Sequence, residues 1–129
     1  MTFDSALEEL MYARVTMFST KPATLTPLIA TVRDTVISRV KDYEGFVHAQ
    51  FVTRSRINKA ILTTFWRTEY DAMQAEKDGE LDWEMEQIEP YVVGPAVIEG
   101  YEVSCIEGGL VPVRPGAEQD ENPGAVKSG

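Results

Sequence analysis

The chain has 129 residues, a length that fits one domain and leaves little room for a second. Hydrophobic residues make up 43 % of it, which is enough for a packed core and argues against global disorder. No apolar run approaches the ~20 residues that a membrane-spanning helix needs. The formal net charge of −9 argues against a nucleic-acid partner, because an acidic surface repels phosphates.

Two features of the sequence indicate where in the cell the protein resides. The N-terminal residues Met1–Glu9 lack the basic start and long apolar stretch of a signal peptide. The single cysteine, Cys105, cannot form an internal disulfide. The sequence therefore predicts a cytoplasmic protein.

Turn-forming residues and hydrophobic patterns divide the chain into three parts. Residues 1–10 predict a helical lead-in, with Ser5 and Glu8 at capping-box spacing. Residues 11–106 predict the folded domain. Residues 107–129 are rich in glycine and proline and predict a mobile tail.

The first half of the domain predicts a strand, a helix and a second strand. Met11–Ser19 is rich in strand-forming residues. Thr26-Pro27 suits a helix start and Gly45 suits its end. Phe46–Arg54 is the second strand. The helix carries one apolar stripe, made of Leu28, Ile29, Val32, Val36, Ile37, Val40 and Tyr43.

The second half predicts a strand, a broken helix and a last strand. Lys59–Thr68 should pair with the preceding strand as a hairpin. Glu69–Tyr91 is helical in composition and is broken at Gly79. Ala96–Ile106 is the last strand. The inner stripe of the broken helix is predicted to be Tyr70, Met73, Leu81, Met85 and Ile88.

The resulting order, β-α-β-β-α-β, predicts a ferredoxin-like α+β domain. In this fold a four-stranded antiparallel sheet carries its helices on one face. The other face of the sheet is still apolar and needs a cover. A second copy of the sheet is the simplest cover, so we expect a symmetric homodimer.

Several segments carry a family resemblance, and they occur in a characteristic order. They are Met11-Tyr12-Ala13-Arg14-Val15, Gly45-Phe46, Leu62-Thr63-Thr64-Phe65-Trp66-Arg67-Thr68-Glu69 and Glu99-Gly100-Tyr101-Glu102-Val103. The pattern resembles the antibiotic-biosynthesis-monooxygenase-like proteins of the dimeric α+β barrel superfamily, over roughly residues 11–105. The resemblance implies a dimer whose two sheets face each other, and a pocket between sheet and helices in each subunit.

Members of this family differ in chemistry. Some oxygenate aromatic polyketides without metal or flavin, and others degrade haem. The haem-degrading branch has an asparagine on the first strand, a tryptophan ending the third and a histidine on the next helix. Trp66 matches the tryptophan, but Arg14 stands near the asparagine position and Tyr70–Tyr91 contains no histidine. We therefore expect no haem and no other cofactor.

Trp66 and Arg14 are the first candidate site residues. Trp66 could stack on a flat aromatic substrate or simply pack the first helix onto the sheet. Arg14 could hold a phenolate or carboxylate in a pocket. Alternatively, it could form a structural ion pair with Glu99 or Glu102 on the last strand.

The remaining candidates are a histidine and several aromatic residues. His48 could act as a general base, or could lie on the solvent or dimer face of its strand. The aromatic residues could line a pocket or fill the core or interface; they are Tyr12, Tyr70, Trp83 and Tyr101.

An acidic run follows in the broken helix, and Glu80 and Glu84 share a helical face there. No histidine accompanies these residues and their spacing is not that of a calcium loop, so we interpret the run as a solvated helix face without metal. Cys105 has no partner motif. The run comprises Glu76, Asp78, Glu80, Asp82, Glu84, Glu86 and Glu89.

Two functional hypotheses remain open. One is a cofactor-independent monooxygenase acting on a small aromatic molecule, with Trp66 as the pocket wall, Arg14 as the anion contact and His48 or a tyrosine as the proton relay. The other is a non-catalytic homodimeric module that binds a small ligand. No nucleotide-binding or serine-hydrolase motif is present.

Overall fold

A computed structural model describes residues 10–107, so the predicted lead-in except its last residue, and the predicted tail except its first residue, lie outside the described residues. Four strands are present: β1 (Tyr12–Thr20), β2 (Phe46–Arg54), β3 (Lys59–Trp66) and β4 (Val92–Glu102). Helix α1 consists of Leu25–Thr31, a π-helical stretch at Val32–Val36 and Ile37–Val40; α2 is Glu69–Lys77 and α3 is Glu80–Ile88. Short 3-10 turns occupy Ser55–Ile57 and Glu89–Tyr91.

The strands form one antiparallel sheet in the order β2-β3-β1-β4. This is the order expected for β-α-β-β-α-β connectivity, and it confirms the predicted α+β fold. The register places Arg14 opposite Thr64 on β3 and Gly100 on β4. Because side chains alternate along a strand, these positions share one face of the sheet. We call it the covered face, since the helices pack on it, and the other the open face.

The core lies between the covered face and the helices. The predicted stripe of α1 is largely confirmed, since Leu28, Val32, Val36 and Val40 are buried, whereas Ile29 is exposed. Strands contribute Phe18, Ala60, Leu62 and Trp66, and the other two helices contribute Ala72, Ala75 and Ile88.

Helix α2 presents a different face to the sheet from the predicted one. Tyr70 and Met73 were expected inside, but both are exposed, and Asp71 and Ala72 are buried instead. The reason is the close approach of the chain at Gly45, where an added Cβ would lie 2.4 Å from that of Asp71. Only small side chains fit so tight a contact, and the large ones turn outward.

Element boundaries agree with the prediction only in part: β1 is shifted by one residue, and β4 ends at Glu102 rather than at Ile106. β2 has the predicted bounds, and Gly79, with φ +93°, separates α2 from α3. α1 ends at Val40 rather than at Gly45, which takes its positive φ of +87° in the turns that follow. β3 ends at Trp66, and β4 begins at Val92, four residues before the predicted start. Among the helices of residues 10–107, none is long and apolar enough to cross a membrane.

Candidate functional site

Arg14 is the most unusual residue of the covered face, because it is charged and only 2 % exposed. Its Nη1 donates a hydrogen bond to Oε2 of Glu76 at 3.1 Å. Its Nη2 donates to Oε2 of Glu80 at 2.5 Å and to Oε2 of Glu84 at 3.2 Å. The guanidinium carbon also lies 5.4 Å from the centre of the Trp66 ring. We call Arg14, Glu76, Glu80 and Glu84 the arginine cluster.

This cluster corrects two expectations. Arg14 forms an ion pair, but neither Glu99 nor Glu102 is its partner. Glu99 is opposite Val15 in the register and therefore faces the other side of the sheet. The acidic run is also not entirely solvated, since Glu80 and Glu84 are 0 % and 1 % exposed. The four-residue spacing of these glutamates was the available signal, because it puts both on the side of α3 that meets the buried arginine.

Burial and charge act against each other inside the cluster. Burial, together with the neighbouring Glu80, raises the pKa of Glu84 to about 9, although Arg14 opposes the change. Burial lowers the pKa of Arg14, but the carboxylates of Glu80 and Glu84 outweigh it and raise that pKa overall. The guanidinium therefore stays charged at neutral pH.

Trp66 is completely enclosed, with 0 % of its surface exposed. Its indole Nε1 donates a hydrogen bond to Oγ1 of Thr64 at 2.9 Å. The ring of Phe46 meets it edge to face at a centroid distance of 5.9 Å. Together with Arg14, these neighbours fill the space beside the indole, so its contacts here are those of a core residue.

A cleft opens at the end of the covered face where β1 begins and α2 starts. Its volume is about 580 Å³. The side chain of Tyr12 passes over β4 at Gly100, where an added Cβ would lie 1.7 Å from the tyrosine oxygen. Tyr70 stands at the rim, 68 % exposed. We call this space the tyrosine cleft; its lining is Leu10, Tyr12, Glu44, Arg67, Thr68, Glu69, Tyr70, Asp71 and Glu102.

The tyrosine cleft is strongly acidic. Four carboxylates line it, against a single guanidinium on Arg67. That guanidinium lies 3.0 Å from Asp71 and 3.7 Å from Glu44, so it is already paired. Burial, followed by the charges of Glu69 and Glu76, raises the pKa of Tyr12, and its hydroxyl stays protonated at neutral pH.

The other sequence-predicted candidates lie elsewhere. His48 pairs with Phe65 in the register and lies on the open face, with its ring 5.7 Å from that of Phe65. Arg14 and His48 are therefore on opposite faces of the sheet and do not share a pocket within one chain. Trp83, on α3, lies under the guanidinium of Arg39, which is 4.3 Å from the ring centre.

Tyr101 is also on the open face, where its hydroxyl donates a hydrogen bond to Glu99. Of the predicted aromatic residues, only Tyr12 and Tyr70 are brought together. The acidic residues that line their cleft were not identified from the sequence as one site, because they come from three separate segments. Within residues 10–107, no group of three or more potential ligands could hold a metal ion.

A second cavity, of about 560 Å³, lies at the opposite end of the sheet. Its lining is mainly apolar and includes Met17, Ile61 and Val97 of the open face, with Arg54 and Lys59 beside them. Neither Trp66 nor His48 lines this cavity or the tyrosine cleft.

This geometry belongs to a known class of fold. The chain has the α+β fold of structures that are named as antibiotic biosynthesis monooxygenases, which confirms the resemblance at the level of the fold. No protein-family model matches the chain, and no curated protein matches it.

Three solved structures illustrate the likeness. A Nitrosomonas europaea protein with that family name is 13 % identical, with a TM-score of 0.64, covering 78 % of this chain and 96 % of its own. A Caulobacter crescentus protein of the same name is 16 % identical, with a TM-score of 0.60, covering 80 % and 98 %. A mutant of SnoaB, a cofactor-independent oxygenase from Streptomyces nogalater, is 13 % identical, with a TM-score of 0.61, covering 77 % and 98 %.

Proposed function

We propose that this chain binds a small aromatic molecule in the tyrosine cleft, and that the preferred ligand is neutral or positively charged. The cleft itself carries the proposal, because its volume of about 580 Å³ suits a small molecule. The rings of Tyr12 and Tyr70 offer surfaces for stacking. The protonated hydroxyl of Tyr12 can donate a hydrogen bond to a ligand oxygen.

The charge of the cleft selects the ligand class. An anionic ligand would meet four carboxylates, and Arg67 is already paired with Asp71. A cationic amine would instead be attracted by the carboxylates and could lie over a tyrosine face. The arginine cluster does not provide an alternative anion site, since its guanidinium is enclosed by glutamates.

The test is a calorimetric titration with three phenols of similar shape and different charge: tyramine, tyrosol and 4-hydroxyphenylacetate. We expect tyramine to bind best and 4-hydroxyphenylacetate least. Tyr70→Ala should weaken tyramine binding about tenfold, through lost stacking and cation–π attraction. Met73→Ala is the matched control, since Met73 is exposed on the same helix outside the cleft. Absence of binding, or binding that Tyr70→Ala leaves unchanged, would refute the proposal.

Cofactor-independent oxygenation is a second candidate, and it is favoured by one local feature. A protonated phenol, Tyr12, lines the same cleft as the carboxylate of Glu69. The carboxylate could accept a proton from an anthrone, and Tyr12 could donate a hydrogen bond to the oxygen that becomes negative. The activated carbon would then be oxidised by O₂ to a carbonyl, with one oxygen atom in the product and the other in water.

In this candidate we assign the site roles to Tyr12 and Glu69 rather than to Arg14, Trp66 and His48. The experiment is oxygen uptake with an anthrone, by the wild type and by Tyr12→Phe. Uptake that is lost in the variant would support an oxygenase with its site in the cleft. If tyramine binds but no anthrone causes oxygen uptake, the chain is better described as a non-catalytic binding module.

We also propose that the open face is covered by a second copy of the chain. Its exposed apolar residues include Val52, Val97 and Tyr101, and further apolar side chains on it are half-buried. Exposed apolar side chains gathered on one face mark an interaction surface, and a two-fold interface can use the same surface on both copies. The half-buried residues are Val15, Met17, Ile61 and Phe65.

A further inference from the structure

We propose that Glu80 and Glu84 share one proton at neutral pH, and that this proton is required for α3 to stay packed on the sheet. The pair would then act as a latch that alkaline conditions release. The inference is independent of the ligand proposed for the tyrosine cleft, and it rests on charge, hydrogen bonding and burial in the arginine cluster.

The balance of charge is the first argument. Three carboxylates surround the one guanidinium of Arg14. The side chain of Glu76 is 38 % exposed, so water can stabilise its charge. Glu80 and Glu84 are fully enclosed, and a single guanidinium cannot compensate two buried negative charges. One added proton restores neutrality to the enclosed set.

The balance of hydrogen bonds is the second argument. All three carboxylates accept from Arg14 through Oε2. Oε1 of Glu80 is buried and has no donor among the described residues. A buried acceptor without a donor is costly, and a protonated Glu84 supplies an O–H that can donate to it.

The elements packed around Glu80 and Glu84 determine which charges the pair faces. β1 contributes Arg14, and α2 contributes Glu76. Opposite Arg14 on β3 stands Thr64, which is uncharged. The cation of α1 that approaches α3 is Arg39, and it lies over the Trp83 ring. The charged groups that act on the Glu84 carboxyl are therefore Glu80 and Arg14.

The latch has a defined pH window. Burial and Glu80 raise the pKa of Glu84 from 4.5 to about 9 in the folded chain. Between these values the folded state binds one more proton than the unfolded state, so stability falls as pH rises. The stabilising contribution is complete below about 4.5 and is lost as pH passes 9.

The test compares the wild type with Glu84→Gln by chemical denaturation from pH 6 to pH 8. Glutamine has the shape of a protonated glutamate, and its amide can donate to Glu80 at any pH. We expect the ratio of the unfolding constants, wild type over Glu84→Gln, to rise about tenfold per pH unit, as one linked proton requires. Glu86→Gln, exposed on the same helix, is the matched control and should keep the wild-type pH dependence.

A second measurement needs no variant. Carbon-13 NMR of the wild-type carboxyl groups should show one glutamate that is still protonated at pH 7 and titrates near pH 9. The protection of the α3 amides from exchange, relative to their intrinsic rates, should fall across the same titration. Equal pH dependence of wild type and Glu84→Gln would overturn the latch. So would a spectrum in which every glutamate is ionised at pH 7.

Discussion

The two faces of the sheet differ in what is unusual about each. The covered face encloses Arg14, Glu80 and Glu84 beneath the helices. The open face leaves large apolar side chains exposed, such as Val97 at 49 %. The enclosed glutamates are tolerated because both pair with Arg14, whereas no element within residues 10–107 covers the apolar side chains of the open face. The comparison teaches that the covered face is filled by helices of the same chain, whereas the open face is the surface where we propose that a second copy packs.

Removing the cation should produce the largest effect on the covered face. Arg14→Met leaves the enclosed carboxylates without their counter-charge, and we expect a loss of about 3–5 kcal/mol in the free energy of unfolding. Urea denaturation at pH 7 measures it. Arg33→Gln is the control, because Arg33 forms only an exposed pair with Asp34, which water and salt screen. Equal losses in the two variants would show that the arginine cluster does not stabilise the covered face.

A smaller effect is expected where α2 approaches the sheet. Gly45→Ala places a methyl group 2.4 Å from the Cβ of Asp71, at a positive φ. Gly79→Ala meets a similar positive φ but has nothing within 4 Å of the added carbon. Backbone strain should cost both variants about 1 kcal/mol or more, and the clash should make the loss in Gly45→Ala larger. Thermal denaturation compares them, and equal losses would contradict the close contact at Asp71.

Much of the fold could be predicted from local patterns. β2 is bounded by turn residues and alternates clearly, and Gly79 interrupts a helical composition, so these features were found where the structure has them. The inner face of α2 was not predictable in the same way. Hydrophobicity favoured Tyr70 and Met73, but the close contact at Gly45 admits only smaller residues.

The site was less predictable than the fold. Sequence reasoning identified Arg14 as a charged residue in an apolar strand, and it noted that Glu80 and Glu84 share a helical face. Which carboxylates reach the arginine depends on how the break at Gly79 orients α3, and this is a tertiary property. Tyr12 and Tyr70 were candidates among several aromatic residues, and only the packing of α2 beside β1 brings them together.

The difference between the two faces is tested most directly by the mass of the particle in solution. Sedimentation equilibrium should give twice the chain mass for the wild type and one chain mass for Val97→Lys, because a lysine charge in the centre of an apolar interface is unfavourable. Met73→Lys is the matched control: Met73 is equally exposed but lies on the helix side, so this variant should remain a dimer. A wild type that stays monomeric at all concentrations, or a Val97→Lys variant that stays dimeric, would contradict the account.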